Sequence, residues 1–461
     1  MKCMRVSNTI RKFIVCGVML SIPVITYAIN VTTMLIGQVS DVEIQTFENV
    51  PTSYAINRDL FRALFERAHT EPIRIAIIGD SQETSPGGQG SIYIPRLNYE
   101  AYLTYGSASE TRIQATGSYG GGSPYAAWLT SGSGGTTVPF GSPYQYNSTY
   151  LLPNTGGQSD STKNSGVNIN GQAYGQLNIL RANGLLLPPT ASIPTDVDYF
   201  CKGADVRAQI FAPTRSGSGE FSYLARPTDL TTSNYFVATS ASGTLILGLD
   251  SATYEIKSGL TDPLPFNGFL YQQLEVNGND DARLTNFIGS RFISSACNRG
   301  MIIQDLAAGG YRTTSIPTNH SNAGPLFNAL NFHAAIIHTG TNDIGANRTP
   351  EQFRTDLQQL IALFRTWTSN PNFPIIFMID IYRTGITDEQ QRLYAKYTGA
   401  AYQIAQSDPY TMLVNSRLLT DQLGLNADNP AYVASFLSDG VHYTAFGAIT
   451  LAEIEMTELL Q

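Results

Sequence analysis

Charge is scarce in this chain: Asp, Glu, Lys and Arg make up only 14% of 461 residues, with a formal balance of -8. A chain this acidic has no basic footprint for nucleic acid and no electrostatic pull toward anionic lipid. Cysteine is scarcer still. Of four, Cys3 and Cys16 lie near the start, leaving Cys201 and Cys297, with no CxxC spacing and no zinc pattern. In an oxidising compartment those two can pair; otherwise they are two buried thiols. The apolar stretch from Phe13 to Ile25 is thirteen residues, short for a membrane span. No spacing in the chain implies a metal or a cofactor.

That apolar stretch follows Lys2, Arg5, Arg11 and Lys12 and precedes Thr26-Tyr27-Ala28, which reads as a secretory signal peptide over residues 1–28. An uncleaved anchor is the alternative. Removing these residues takes away four basic and no acidic groups and moves the charge from -8 to -12. The expectation is a secreted or periplasmic protein with no stable membrane span after cleavage and no nucleic-acid partner.

What is present in quantity is Gly, Ser, Thr, Asn and Tyr, the composition of a β-rich, loop-rich chain. Residues 29–56 read as a polar lead-in. Leu60, Phe61, Leu64 and Phe65 recur at helical spacing within 57–68, and Ile73 to Ile78 is the apolar run of a buried parallel strand. A helix is expected from Pro95 to Tyr105. From about residue 205 to 290, short β-like runs alternate with turn residues: 206–211, 221–224, 235–238, 244–249 and 269–276. That spacing predicts an antiparallel sandwich. From residue 299 strand and helix alternate again, with strands at 301–303, 334–337, 374–381 and 412–415 and helices at 350–367, 388–406 and 443–460. The alternation predicts a parallel sheet with helices on both faces.

Three short segments bring the residues of a nucleophilic site: Gly79-Asp80-Ser81, Gly340-Thr341-Asn342-Asp343 and Asp439-Gly440-Val441-His442. A serine hydroxyl is unreactive at neutral pH without a base in reach. His442 can take its proton and later return it to a leaving alcohol. Asp439, three residues earlier, can turn back to hold the imidazole. Asn342 offers an amide donor to a developing oxyanion. Each segment ends a β-like run, where sheets of this class build their sites. The bland readings are a helix cap at Asp80-Ser81, a plain turn at Asn342-Asp343, and a structural role for His442. Asp80 and Asp343 read as hydrogen-bonding struts, and His338, close before Asn342, as a packing residue. The remaining histidines form no ligand pattern.

The order and residues resemble the SGNH hydrolases, also called the GDSL esterase family. Gly79-Asp80-Ser81 is similar to its first block, though Gln82 stands where the name motif has leucine. Gly309 is favoured for its second-block glycine, with Gly310 as competitor. Gly340 to Asp343 and Asp439 to His442 are similar to its third and fifth blocks. The resemblance covers roughly residues 73–105 and 299–461. It implies a three-layer α/β/α, flavodoxin-like domain split over 57–109 and 297–461. It also implies catalytic Ser81, His442 and Asp439, and oxyanion donors at the Ser81 and Gly309 N–H groups and the Asn342 side chain. Family members pass from first to second block within a few tens of residues, but Ser81 and Gly309 are 228 positions apart. Residues 110–296 are therefore expected to form an inserted β-rich domain above the catalytic end of the sheet. Its tyrosines and Trp128 either offer stacking faces to carbohydrate or fill a sandwich core.

The activity these features imply is serine-dependent cleavage of carboxylic esters, with acetyl or other short acyl groups removed from acylated carbohydrate. A lipid esterase or lysophospholipase is the first alternative, but it calls for a long apolar groove or lid that residues 106–296 do not offer. A carbohydrate O-acetyltransferase and a non-catalytic surface binding protein on the same scaffold are the others.

Overall fold

The computed structural model describes residues 50–84, 90–113, 200–201, 203, 205–213, 220–229, 234–235, 241–247, 255–264, 272–278, 286–287, 289–307, 309–379, 383–385, 387–425 and 429–460, with four short strand segments between 158 and 180. The expected signal peptide, the Gly-rich stretch after residue 113 and Trp128 lie outside these residues.

Six strands form the central sheet: β1 (Ser53–Tyr54), β2 (Pro72–Ile78), β3 (Gly300–Asp305), β4 (Ala334–Thr339), β5 (Ile375–Ile379) and β6 (Thr411–Val414). Their spatial order is β1-β6-β5-β4-β2-β3, parallel throughout except for β1, which runs antiparallel to β6. The strands read as unbroken apolar runs because both faces are buried. Side chains alternate between two cores: Ile73, Ile75 and Ile77 enter one, Ala76 and Ile78 the other, and β4 and β5 repeat the pattern.

Helices α1 (Arg58–Glu66), α2 (Gly90–Tyr105) and α5 (Ala445–Leu460) cover the first face, while α3 (Pro350–Trp367) and α4 (Asp388–Ser407) cover the second. The expected three-layer α/β/α architecture is what the chain adopts. Capping boxes, Thr349 with Gln352 and Thr387 with Gln390, fix where α3 and α4 begin.

Two expectations need correction. Helix α2 starts at Gly90, so Pro95 lies inside it rather than at its start. Burial of Ile92, Tyr93 and Ile94 outweighs the one backbone bond that Pro95 cannot make. The lead-in is also not wholly outside the fold, since Ser53 and Tyr54 pair with Val414 and Leu413 and so close one sheet edge. The opposite edge is capped by a side chain. Asn98 on α2 donates to the Ile303 carbonyl at 3.0 Å and accepts from the Ile303 N–H at 2.9 Å, satisfying groups that an edge strand leaves open.

Between the two halves, the described residues form antiparallel sheets. One joins 206–213 to 256–260 and 289–294; another joins 220–229 to 241–246 and 272–278. They approach each other at Gly259, where an added Cβ would lie 2.6 Å from Leu247 Cδ2 and 2.9 Å from Leu245 Cδ1. The first sheet shares a core with the α/β layers, since Phe211 packs in the cluster that holds Ala76 and Ile78. Its contacts with the central sheet are therefore on the flank. A buried ion triad reinforces them: Glu110 receives Arg74 at 2.6 Å and Arg291 at 3.0 Å and is itself only 2% exposed.

Removing one member of a buried ion group strands the others without counter-charge. Glu110→Ala is expected to destabilise the protein by about 3–5 kcal/mol, read as a lower urea midpoint; an unchanged midpoint would refute the triad's role.

Candidate active site

Ser81 follows β2 after a two-residue turn and opens a short helix, Ser81–Thr84. Next to β2, strand β4 ends at Thr339 and leads through Gly340 into the helix Thr341–Gly345, which carries Asn342. His442 comes from the loop before α5. That loop is closed by Ser438 N–H donating to the His442 carbonyl at 2.8 Å and by pairing of Leu437 with Tyr443. Gly440 sits at its tip with φ 81°, and a Cβ there would collide with Thr384. Thr384 N–H in turn donates to the Gly440 carbonyl at 2.8 Å, tying down the loop.

The structure brings the three proposed catalytic side chains together. Ser81 Oγ lies 2.9 Å from His442 Nε2, and His442 Nδ1 lies 2.7 Å from Asp439 Oδ2. The other Asp439 oxygen accepts from the backbone N–H groups of Val441 at 3.0 Å and His442 at 2.8 Å. Partial burial acts to raise the Asp439 carboxyl, but those two N–H groups and the imidazole outweigh it and bring it down to about 2. Asp439 thus stays ionised through any ordinary acid range. With Nδ1 facing a carboxylate, Nε2 is left to accept the Ser81 proton.

Asn342 is present at the site but occupied. Its Nδ2 donates to Asp80 Oδ2 at 2.9 Å and to the Tyr311 carbonyl at 3.0 Å, so both N–H groups have acceptors. The Tyr311 bond draws the loop of Gly309 and Gly310 alongside. Gly310 has φ 78° and needs glycine for its conformation; Gly309 is not among the positive-φ glycines. Asp343 secures the same loop by accepting from Thr313 N–H and Oγ1, and it also binds Thr339 Oγ1. Both aspartates read as struts, Asp80 and Asp343, take that part.

Sequence reasoning missed the layer beneath. Glu83 Oε2 accepts the Asp80 N–H at 2.8 Å, while its other oxygen pairs with His338 Nδ1, both side chains fully buried. A Cβ on Gly79 would strike that carboxylate, which explains the glycine. Tyr93 packs beside His338 and hydrogen-bonds Glu455 on α5, which also binds Ser416. Burial raises both the Glu455 carboxyl and the Tyr93 hydroxyl, the latter well above the usual tyrosine range. Gln82 also acquires a role: its Nε2 donates to the Val441 carbonyl at 2.6 Å, joining the serine turn to the histidine loop. A leucine cannot do this.

Among the described residues, no group of three or more His, Cys, Asp or Glu is arranged to hold a metal ion, and no helix is long and apolar enough to cross a membrane.

No family model and no curated protein matches the sequence. Solved structures do match. A peptidoglycan O-acetylesterase aligns over 89% of this chain and 98% of its own, with a TM-score of 0.54 at 12% identity. A share that large extends into the residues between Ser81 and Gly309. An acetylxylan esterase from Geobacillus stearothermophilus matches 35% of this chain and 73% of its own, at 17% identity and a TM-score of 0.29. A GDSL-like lipase from Parabacteroides merdae matches 35% and 74%, at 17% identity and 0.28. Only the first likeness is close enough to argue from, and at its identity it establishes the fold: the SGNH hydrolase fold that the four blocks implied.

Two outcomes test this geometry. Gln82→Leu should slow phosphonylation of Ser81 by a fluorophosphonate roughly tenfold, the value of about one lost hydrogen bond; an unchanged rate would mean the histidine loop needs no tether. Asp343 is pushed up to about 6 by burial, against hydrogen bonds from Thr313 and Thr339 that lower it. Its folded value exceeds the unfolded one, so its contribution is complete below about pH 4 and is lost as pH rises through 6. Relative to Asp343→Asn, the wild type should lose up to about 3 kcal/mol between pH 4 and pH 7. Urea unfolding across that range checks this, and a flat difference refutes it.

Proposed function

We propose that this protein is a secreted serine carboxylic-ester hydrolase that removes acetyl or other short acyl groups from carbohydrate. The observation that carries the reading is the continuous chain Ser81–His442–Asp439, with the hydroxyl 2.9 Å from the imidazole. Ser81 Oγ attacks the acyl carbon as its proton passes to His442 Nε2, and Asp439 stabilises the imidazolium. The tetrahedral oxyanion is met by the N–H groups of Ser81 and Gly309 and by Asn342. Asn342 must release Asp80 or the Tyr311 carbonyl to do so. His442 then returns the proton to the departing sugar oxygen, leaving Ser81 acylated. Water, activated by the same histidine, attacks the acyl-enzyme and frees the acid.

Support for an acetylated glycan comes from the peptidoglycan O-acetylesterase, which aligns with this chain through most of its length, insertion included. Support for secretion comes from the basic start, the apolar stretch and the small residue at Ala28.

The test is hydrolysis of p-nitrophenyl esters from acetate to palmitate, with acetate release from O-acetylated polysaccharide alongside. Activity should be confined to the shortest esters, and Ser81→Ala should lower it by at least about 10³-fold. Rates rising with chain length would make the substrate lipid. Turnover that survives Ser81→Ala would sink the serine mechanism.

A further inference from the structure

Cys201 and Cys297 come together just beyond an antiparallel pair of strands. Strand 206–213 pairs with strand 289–294 so that Val206 stands opposite Ser294. One step further out, Ser295 N–H donates to the Asp205 carbonyl at 3.4 Å. Beyond that pair the register slips, and Gly203 faces Ala296, whose Cβ lies 2.5 Å from where a Gly203 Cβ would be. The Cys297 thiol then lies beside that of Cys201. They are anchored on neighbouring residues of the incoming chain. Cys201 N–H donates to the Ala108 carbonyl at 2.8 Å, and Cys297 Sγ lies 3.6 Å from the Ser107 carbonyl. Burial, and then the adjacent Cys201 thiol, push the Cys297 thiol up to about 12. Both residues remain partly accessible.

We infer that Cys201 and Cys297 are a redox pair, thiols when reduced, that forms an intramolecular disulfide under oxidising conditions. The bond would join the ends of a stretch containing every described strand from Val206 to Ser294. The oxidant is a small-molecule disulfide such as oxidised glutathione. Cys201 attacks one of its sulfurs and expels one glutathione thiolate; Cys297 then attacks the Cys201 sulfur and expels the second. One S–S bond is broken and one formed, the two cysteine thiols are oxidised, and their protons end on two glutathione thiols. Closing so long a loop removes conformations from the unfolded chain, so the bond stabilises the insertion. This inference does not rest on the esterase reading.

The purified full-length protein is equilibrated with excess oxidised glutathione, denatured in an alkylating agent without reductant, digested and analysed by mass spectrometry. A linked peptide joining Cys201 to Cys297, with both residues alkylated only after phosphine reduction, is expected. Cys201 and Cys297 both alkylated without reduction, or each carrying glutathione, would overturn the proposal. The Tm of oxidised wild type should fall by about 5 °C on reduction, whereas Cys297→Ser should not respond. A wild-type Tm indifferent to reductant would overturn the stabilising role.

Discussion

The buried carboxylate of Glu83 is the constraint on which the site depends. Removed from water, each of its oxygens must find a polar partner. His338 Nδ1, near the end of β4, meets one oxygen, and the Asp80 N–H donates to the other. One group therefore locks the turn that presents Ser81 to the strand that presents Asn342. Gly79 follows as a consequence, because the carboxylate occupies the space of its side chain. Beyond His338 lie Tyr93, Glu455 and Ser416, which carry the polar layer into α5, the helix that begins just after His442.

Positioning and chemistry are thus divided by depth. The lower layer of Glu83, His338 and Glu455 is closed to water and has little freedom to move. The upper layer of Ser81, His442 and Asp439 is accessible, with the Asp439 side chain 57% exposed. An exposed carboxylate gains little from charge attraction alone. Here two backbone N–H groups hold one oxygen and aim the other at Nδ1, so orientation does what screened charge cannot. Asn342 is tuned in the opposite sense. Its donors are already satisfied, so offering one to a developing charge would first cost the bond to Asp80 or to the Tyr311 carbonyl and gain only the difference.

Much of this was legible in the sequence, for identifiable reasons. The parallel strands were readable because burial on both faces demands runs such as Ile73 to Ile78. Asp439 and His442 were readable because a short turn brings residues three apart together. Pairings across the chain were not. Glu83 after a serine reads as an ordinary first-turn acid, and nothing local to His338 announces a partner on another element. Gln82 was unexplained because its acceptor, the Val441 carbonyl, lies at the far end of the sequence. β1 escaped because two residues carry no periodicity. In the insertion, alternation revealed strands but not that 206–213 would be flanked by two later strands.

The flanking sheet is held firmly against the α/β layers. Domains in one chain move relative to each other by default unless a substantial apolar interface joins them. Here Phe211 sits in the same core as Ala76 and Ile78, and Glu110 bridges Arg74 of the central sheet to Arg291 of the flanking one. Hinging would expose Phe211, at roughly 1.5–3 kcal/mol, and pull apart a buried ion group, at about 3–5 kcal/mol, so open positions are rare. Whatever this sheet contributes to recognition, it contributes from a fixed position.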